Sequence, residues 1–232
     1  MEDAITKPVS VLLFVKAPVP GRCKTRLARH VGNVHAARCH RAMTEHVVRH
    51  LAGLPDVRLT LMCAPDTRHA FFRRLARRYR CRLERQHRGT LGQRMHHALR
   101  QAIRRQEPAL VMGSDQPDLA DLPLAGVRQA LDADRAVLAP THDGGYWFIA
   151  LPQTQARLFW GISWSTPRVA RQTRTGFRRL RMSWTESTPR RDVDTHADWR
   201  ALPRRTRLAL GRAVVMPGRA AARGAAPDDE PR

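Results

Sequence analysis

Short apolar runs alternate with amphipathic stretches along most of the chain. Residues 9–15, all but one apolar and bounded by Pro8 and Pro18, read as a buried strand. A helix is expected to open near Thr25. Asn33 can cap a further helix to about residue 54, with Val34, Ala37, Met43, Val47 and Leu51 at helical spacing and Pro55-Asp56 as its stop. The same pattern predicts strands at 57–63, 81–86, 108–112, 136–139, 146–151 and 180–184. Helices are predicted from Asp66 or Thr67 to 79, at 90–105, 122–132 and 166–173, and from Thr195 to 202. Strands that alternate with helices imply an α/β domain: three layers, α/β/α, around a mostly parallel, Rossmann-like sheet covered on both faces. From Pro217 the chain turns to Ala, Gly, Pro and charge, so one domain over 1–216 and a disordered tail over 217–232 are expected.

Ligands of such sheets gather beyond the carboxyl ends of the strands, and the polar motifs sit there. The first strand runs into Lys16-Ala17-Pro18-Val19-Pro20-Gly21-Arg22-Cys23-Lys24-Thr25-Arg26. Gly21 allows close backbone approach to an anion, the following helix start offers N–H groups, and Lys16, Arg22, Lys24 and Arg26 supply cations. Of 42 Lys and Arg residues only Lys7, Lys16 and Lys24 are lysine, so two of three lysines fall in this loop. The plainer reading is a basic surface turn, since the loop is not of Walker A type.

The strand at 108–112 leads into Gly113-Ser114-Asp115-Gln116-Pro117-Asp118, which places Asp115 at the carboxyl edge, either as a ligand of a hard cation or in an Asx turn. Asp192 and Asp194 alternate on an extended segment and share a face, although Asp194 could also cap the last helix. With 20 acidic residues against 42 basic ones, Asp115, Asp192 and Asp194 are the leading metal ligands. Asp143-Gly144-Gly145, ahead of an aromatic strand, and Ser165-Thr166 could bind an acceptor. Their structural alternatives are a hairpin turn and a helix cap. Gln86, Gly89 and Gly92 flank a strand-to-helix turn that could read a planar base, or could serve only to start the helix. No Ser-His-Asp or Cys-His constellation stands out, so covalent catalysis is not expected.

Composition narrows the classes. The net charge of +22 raises nucleic-acid binding, but the excess is spread over 68–88, 100–105 and 168–191 with few interleaved aromatics and no DNA- or RNA-binding motif. Nucleic acid is therefore not expected as the main partner, while small polyanions are attracted by the field. No apolar run suits a bilayer and residues 1–7 lack a secretory h-region, so no membrane partner is expected. Cys23, Cys39, Cys63 and Cys81 form no C-x-x-C pair, which fits reduced thiols and a cytoplasmic location.

In order, Lys-Ala-Pro-x-Pro-Gly-x-x-Lys-Thr-Arg-Leu, Gly-x-Leu-Gly-x-Arg-Met, Gly-Ser-Asp-x-Pro-Asp-Leu, Asp-Gly-Gly-Tyr, Trp-Ser-Thr and Asp-Val-Asp-Thr resemble an uncharacterised bacterial family. It is a glycosyltransferase-A-like family of the nucleotide-diphospho-sugar transferase superfamily and is similar to 2-phospholactate guanylyltransferase. The resemblance spans residues 9–202. It implies a triphosphate loop at Ala17, Pro18, Gly21, Arg22 and Thr25, with Lys16, Lys24 and Arg26 acting on phosphates. It also implies a base-reading segment at Gln86, Gly89 and Gly92, and Mg²⁺ (or Mn²⁺) on Asp115, Asp192 and Asp194. Relatives commonly carry Asp where this chain has Thr90.

The function expected from this is a Mg²⁺-dependent transferase that binds a nucleoside triphosphate or nucleotide-sugar and transfers a nucleotidyl group to a small phosphorylated acceptor. The first alternative is glycosyl transfer from a nucleotide-sugar. Glycosyltransferases of this fold typically carry an early Asp-x-Asp, whereas here the pairs are Asp132-Ala133-Asp134 and the late Asp192-Val193-Asp194. The alternative from another class is a non-catalytic nucleic-acid or partner-binding module.

Overall fold

The computed structural model describes residues 8–119 and 122–210. The chain runs β1 (Val9–Lys16), α1 (Thr25–Val31), α2 (Asn33–Ala52), β2 (Val57–Ala64), α3 (Ala70–Tyr79), β3 (Arg82–Arg85), α4 (Leu91–Arg104) and β4 (Ala109–Gly113). It continues with α5 (Leu124–Asp132), β5 (Ala136–Pro140), β6 (Tyr146–Leu151), a 3₁₀ turn (Ala156–Phe159), α6 (Val169–Arg179), β7 (Trp184–Glu186), α7 (His196–Ala201) and α8 (Arg204–Leu210). The boundary expected at 216 and the tail over 217–232 lie outside the described residues. No helix among the described residues is long and apolar enough to cross a membrane.

The strands form one sheet in the order β3-β2-β1-β4-β6-β5-β7. β6 alone runs antiparallel to its neighbours β4 and β5, and the other pairings are parallel. Side-chain alternation sorts the core into two layers. Val9, Val11, Leu13 and Val15 of β1 pack with Val47 and Leu51 of α2, Phe72 of α3 and Val127 of α5. Leu12 faces the other way, toward Met95 and Leu99 of α4 and Phe177 of α6. The mostly parallel three-layer architecture is thus the one the alternation implied. Strand order reverses between β1 and β4, and at such a point the connections leave on opposite faces and open a crevice at the carboxyl ends.

Some boundaries differ from the expected ones for local reasons. Asp66 accepts hydrogen bonds from the backbone and side chain of Arg68 rather than starting a helix, so α3 opens three residues later behind a His69 cap. α2 starts at Asn33, but its cap is Gly32. The helix expected at 166–173 starts at Val169, because 163–168 is bent by Thr166 bonds to Ser163 and Arg168. The strand expected at 180–184 is β7 instead, because Leu180 closes α6.

A third cluster lies under the crevice. Leu27 of α1, Met43 of α2, Trp199 of α7 and Leu202 enclose Val193, which is fully buried. It thereby fixes the last third of the chain beneath the first loop.

On the opposite side of the crevice the β5–β6 turn is joined to the start of α6. Gly144 sits at φ +87°, accepts a hydrogen bond from Ala170 N at 2.9 Å, and leaves so little room that an added Cβ would lie 2.2 Å from the Pro167 carbonyl oxygen. Gly144→Ala is expected to destabilise the fold by about 2–4 kcal/mol, combining backbone strain with overpacking. Gly145→Ala, with its nearest contact 3.0 Å from a side-chain oxygen, should cost less. Urea denaturation midpoints of the two variants check the difference.

Candidate functional site

The crevice is built around one side chain. Lys24 is the cap residue of α1 and holds a left-handed backbone, φ 47° and ψ 46°, uncommon for a residue with a Cβ. That conformation turns the side chain inward, leaving it 4% exposed. Its Nζ donates to Val193 O at 2.6 Å and lies 2.8 Å from Asp115 Oδ1 and 2.7 Å from Asp194 Oδ1. An ammonium has three donors, and all three are used. Burial alone lowers the Lys24 pKa, but the carboxylates of Asp115 and Asp194 outweigh it and raise the pKa above its ordinary value.

The two acidic segments are stitched together by their own backbone. Val193 N donates to Asp115 O at 3.0 Å, and the Gln116 side chain donates to Arg191 O at 3.1 Å while accepting from Asp118 N. Val193 points down into the third cluster, so Asp192 and Asp194 face up, as alternation on an extended segment requires. Asp194 does not cap the helix expected from 195, which is α7: Thr195 does, in a capping box with Asp198.

The three carboxylates differ in environment. Asp115 is hemmed in by protein yet keeps 43% of its side-chain surface open to the crevice. Burial would raise its pKa, but Lys24 and His40 hold it below the usual range. Asp192 is pushed up to about 7, by burial first and then by Asp115, with Asp143 and Asp194 adding to the rise and Lys24 opposing it. Its Oδ1 is buried without a hydrogen-bond partner among the described residues. Oxygen donors of this kind suit a hard cation in their chemistry, but among the described residues no three Asp, Glu, His or Cys side chains are arranged to hold a metal ion.

The crevice opens into a cleft of about 420 Å³. Asp115, Asp143, Asp192 and Asp194 line it together with Gly145, Ser165, Thr166 and an aromatic wall of Phe14, Tyr146, Trp147 and Trp164. Among the described residues Arg26 is the one Lys or Arg in that lining; its side chain is 63% exposed and stands 3.9 Å from Asp194 Oδ2. Tyr146 and Trp164 end and open the Asp-Gly-Gly-Tyr and Trp-Ser-Thr motifs, but the sequence singled out their polar neighbours and not the rings themselves.

The remaining sequence-derived candidates fall in two groups. Lys16, Gly21, Arg22, Thr25 and Arg26 are exposed around the first loop, where Arg22 N donates to Val19 O and Gly21 takes φ +75°. Ala17 is buried, Pro18 is half-buried, and Ala17 N donates to the end of β2. His40, which the sequence reading missed, donates from its ring to Lys16 O at 3.0 Å and so fixes the end of β1. The signal was there, since His40 and Thr44 are polar residues on the buried face of α2.

The Gln86–Gly92 turn is held chiefly by its own contacts. Gln86 Nε2 donates to Met62 O at 2.8 Å, and its Oε1 accepts from Arg94. Gly89 is exposed, whereas Gly92 is buried against Trp164 and Phe159, where a Cβ would stand 2.6 Å and 2.9 Å from their atoms. Thr90 caps α4 in a capping box with Gln93, a role that Thr fills much as Asp would. In the opposite wall Asp143 accepts from Thr141 Oγ1 and Gly145 N, which fixes its own turn. Thr166 bonds locally at the start of α6 and Ser165 is exposed. Gly145, Ser165 and Thr166 line the cleft; Gly144 instead supports it from behind.

The raised Asp192 pKa has a defined sign. The folded protein binds this proton more tightly than the unfolded chain, so stability falls as pH rises from the ordinary 3.8 through about 7. Asp192→Asn removes that loss. It is expected to melt above the wild type at pH 8 by about 2–10 °C, on the order of 1–4 kcal/mol, with the gap shrinking toward pH 4. Thermal melts across that range check it; a gap independent of pH would contradict the assignment.

Residues 47–166 match a family model described as an uncharacterized protein conserved in bacteria (DUF2064). No curated protein matches the chain. Among solved structures, a protein of Desulfovibrio desulfuricans G20, provisionally assigned as a nucleotide-diphospho-sugar transferase, is 29% identical with a TM-score of 0.78, covering 86% of this chain and 88% of that one. The 4-diphosphocytidyl-2C-methyl-D-erythritol synthase of Anaerococcus prevotii DSM 20548 is 10% identical with a TM-score of 0.52, covering 83% and 94%, a likeness of fold alone. The fold is that of the nucleotide-diphospho-sugar transferase superfamily.

Proposed function

The chain belongs to the bacterial DUF2064 family, and on that premise we propose that it is a Mg²⁺- or Mn²⁺-dependent transferase acting on a nucleoside triphosphate or nucleotide-sugar. The observation that carries this reading is the convergence of Asp115 and Asp194 on one cation, 2.8 Å and 2.7 Å from the Lys24 ammonium, beside a basic loop at the strand-order reversal. Asp115, Asp192 and Asp194 would hold the divalent ion, which when bound supplies charge neutralisation across phosphate oxygens.

In the nucleotidyl-transfer form, an acceptor phosphate oxygen attacks the α-phosphorus, a new P–O bond forms, and the α–β bridge breaks to release pyrophosphate. The chain's part is alignment and electrostatics. Lys16, Arg22 and Arg26 stand exposed around the Gly21 turn, where they can receive the β- and γ-phosphates. The turn over Gln86, Gly89 and Gly92 lies beside the end of β1 and is assigned to the base. The cleft with Asp143, Gly145, Ser165 and Thr166 is assigned to the acceptor, and its aromatic wall sheds water from the reacting phosphorus.

One observation favours glycosyl transfer as a second reading. Among the described residues the cleft lining sets four aspartates and an aromatic wall against the one basic side chain Arg26, which suits a hydroxyl-bearing acceptor better than a phosphorylated one. Products from a nucleoside triphosphate and from a nucleotide-sugar separate the two readings.

A thermal-shift screen of nucleoside triphosphates and nucleotide-sugars, with and without Mg²⁺, tests the common core. A ligand at a hundredfold excess over its Kd stabilises by about 2.7 kcal/mol, or about 5–10 °C in a domain of this size. That shift is expected only with metal present, and Asp115→Asn should abolish it while the variant stays folded. A full shift in folded Asp115→Asn would remove Asp115 from the site.

A further inference from the structure

A groove of about 610 Å³ lies apart from the crevice and shares no lining residue with it. Side chains of α2 and α3 line it, and Ala209 and Leu210 of α8 complete the lining. Five of its eleven lining residues are arginine: Arg38, Arg41 and Arg49 from α2, and Arg74 and Arg78 from α3. The whole chain has 42 Lys and Arg in 232 residues, so the groove is enriched beyond an already basic average. Among the described residues Glu45 is the one carboxylate in the lining.

Helix geometry gathers this charge. Arg38, Arg41, Glu45 and Arg49 recur at intervals of three and four, which sets them on one face of α2, and Arg74 and Arg78 stand one turn apart on α3. Like charges brought together repel, and one glutamate offsets only part of that repulsion.

The contacts that hold these side chains leave most of the charge uncompensated. Arg41 and Arg74 both lie over the Phe71 ring, 5.7 Å and 5.6 Å from its centroid, and Arg78 lies 5.5 Å from the centroid of Tyr79. A ring positions a guanidinium without neutralising it. Arg49 Nη2 donates to His46 Nδ1 at 2.9 Å, again a neutral type of partner. Among the described residues Arg74 alone of the five makes an ion pair, 3.2 Å from Glu45. The guanidinium groups are thus placed by rings and an imidazole around a shared space, and the bidentate fork of each matches phosphate oxygens.

We propose that this groove is a second anion site, which takes a compact ligand bearing two or more phosphate groups. It is independent of the crevice and needs no metal ion. A groove of this volume falls in the range of small-molecule sites, roughly 300–1,000 Å³, which favours a compact anion over nucleic acid. The ligand relieves the repulsion among the arginines, so its binding also stabilises the fold.

The test uses the full chain with a metal chelator present, at fixed ionic strength. Tripolyphosphate and ATP are titrated separately by calorimetry into the wild type, into Arg41→Gln/Arg78→Gln, and into the control pair Arg104→Gln/Arg135→Gln. All four side chains are exposed, and circular dichroism confirms that the variants are folded. The groove pair is expected to weaken tripolyphosphate binding at least about tenfold, and the control pair less than about threefold. Equal losses in the two pairs, or no binding by the wild type, overturn the proposal. A loss carried instead by Arg22→Gln/Arg26→Gln places the phosphates at the first loop and also overturns it. Tighter binding of ATP than of tripolyphosphate identifies a nucleotide, and equal binding identifies the phosphate chain alone; both uphold the site. Random duplex DNA that binds through the same pair more tightly than either overturns the small-ligand assignment.

A second measurement needs no variant. Phenylglyoxal modifies accessible arginines, and peptide mass spectrometry reads them one by one. Saturating tripolyphosphate is expected to protect Arg41 and Arg78 while Arg104 and Arg135 stay reactive. Unchanged labelling of Arg41 and Arg78 overturns the proposal.

Discussion

An ammonium between two carboxylates ties the first loop of this protein to its last third. Lys24 and Asp194 are 170 residues apart, and their 2.7 Å contact closes the crevice that β1 and β4 open. In a site this enclosed the contact is screened far less than a surface ion pair. Removing one member would leave buried charge uncompensated, which is the costly outcome. The surrounding structure serves this contact: Val193 anchors the Asp192–Asp194 segment from below, Gln116 and the Asp115 carbonyl hold it in register, and His40 fixes the end of the strand that delivers Lys24.

Charge is sorted in space. The chain as a whole is strongly basic, yet among the described residues the cleft gathers four aspartates and one arginine. A positive field outside and an acidic floor inside suit an anionic ligand that arrives with a divalent ion. A field of this sign would raise the encounter rate of an anion, and an acidic floor would repel it unless a cation bridged the two.

Much of this was legible from local pattern. Tyr146–Leu151 was read with its observed bounds, because a fully apolar run between a glycine turn and a proline leaves little ambiguity. The three-layer architecture followed from strands alternating with amphipathic helices, and Asp115, Asp192 and Asp194 stood out as scarce acids at strand ends. The loop lysine was legible as chemistry but not as geometry. Whether Lys24 points outward or inward depends on its left-handed backbone and on a carboxylate 170 residues later, and no local window carries either. Gly92 was read as part of a turn that could read a planar base or only start the helix, and the close neighbours a Cβ there would meet, Trp164 and Phe159, lie too far along the chain for a local window to show. Thr90, read only as a departure from relatives, forms with Gln93 a Thr-x-x-Gln capping box that the sequence already displayed.

The central proposal is that Asp115, Asp192 and Asp194 would hold a divalent ion that arrives with the phosphates of a nucleotide. Crystals grown with Mn²⁺ and a non-hydrolysable nucleoside triphosphate, measured near the manganese absorption edge, test it most directly. The account predicts an anomalous peak within about 2.2 Å of oxygens from Asp115 and at least one of Asp192 and Asp194, in contact with phosphate. An anomalous peak elsewhere, or a nucleotide bound away from these three carboxylates, would contradict it.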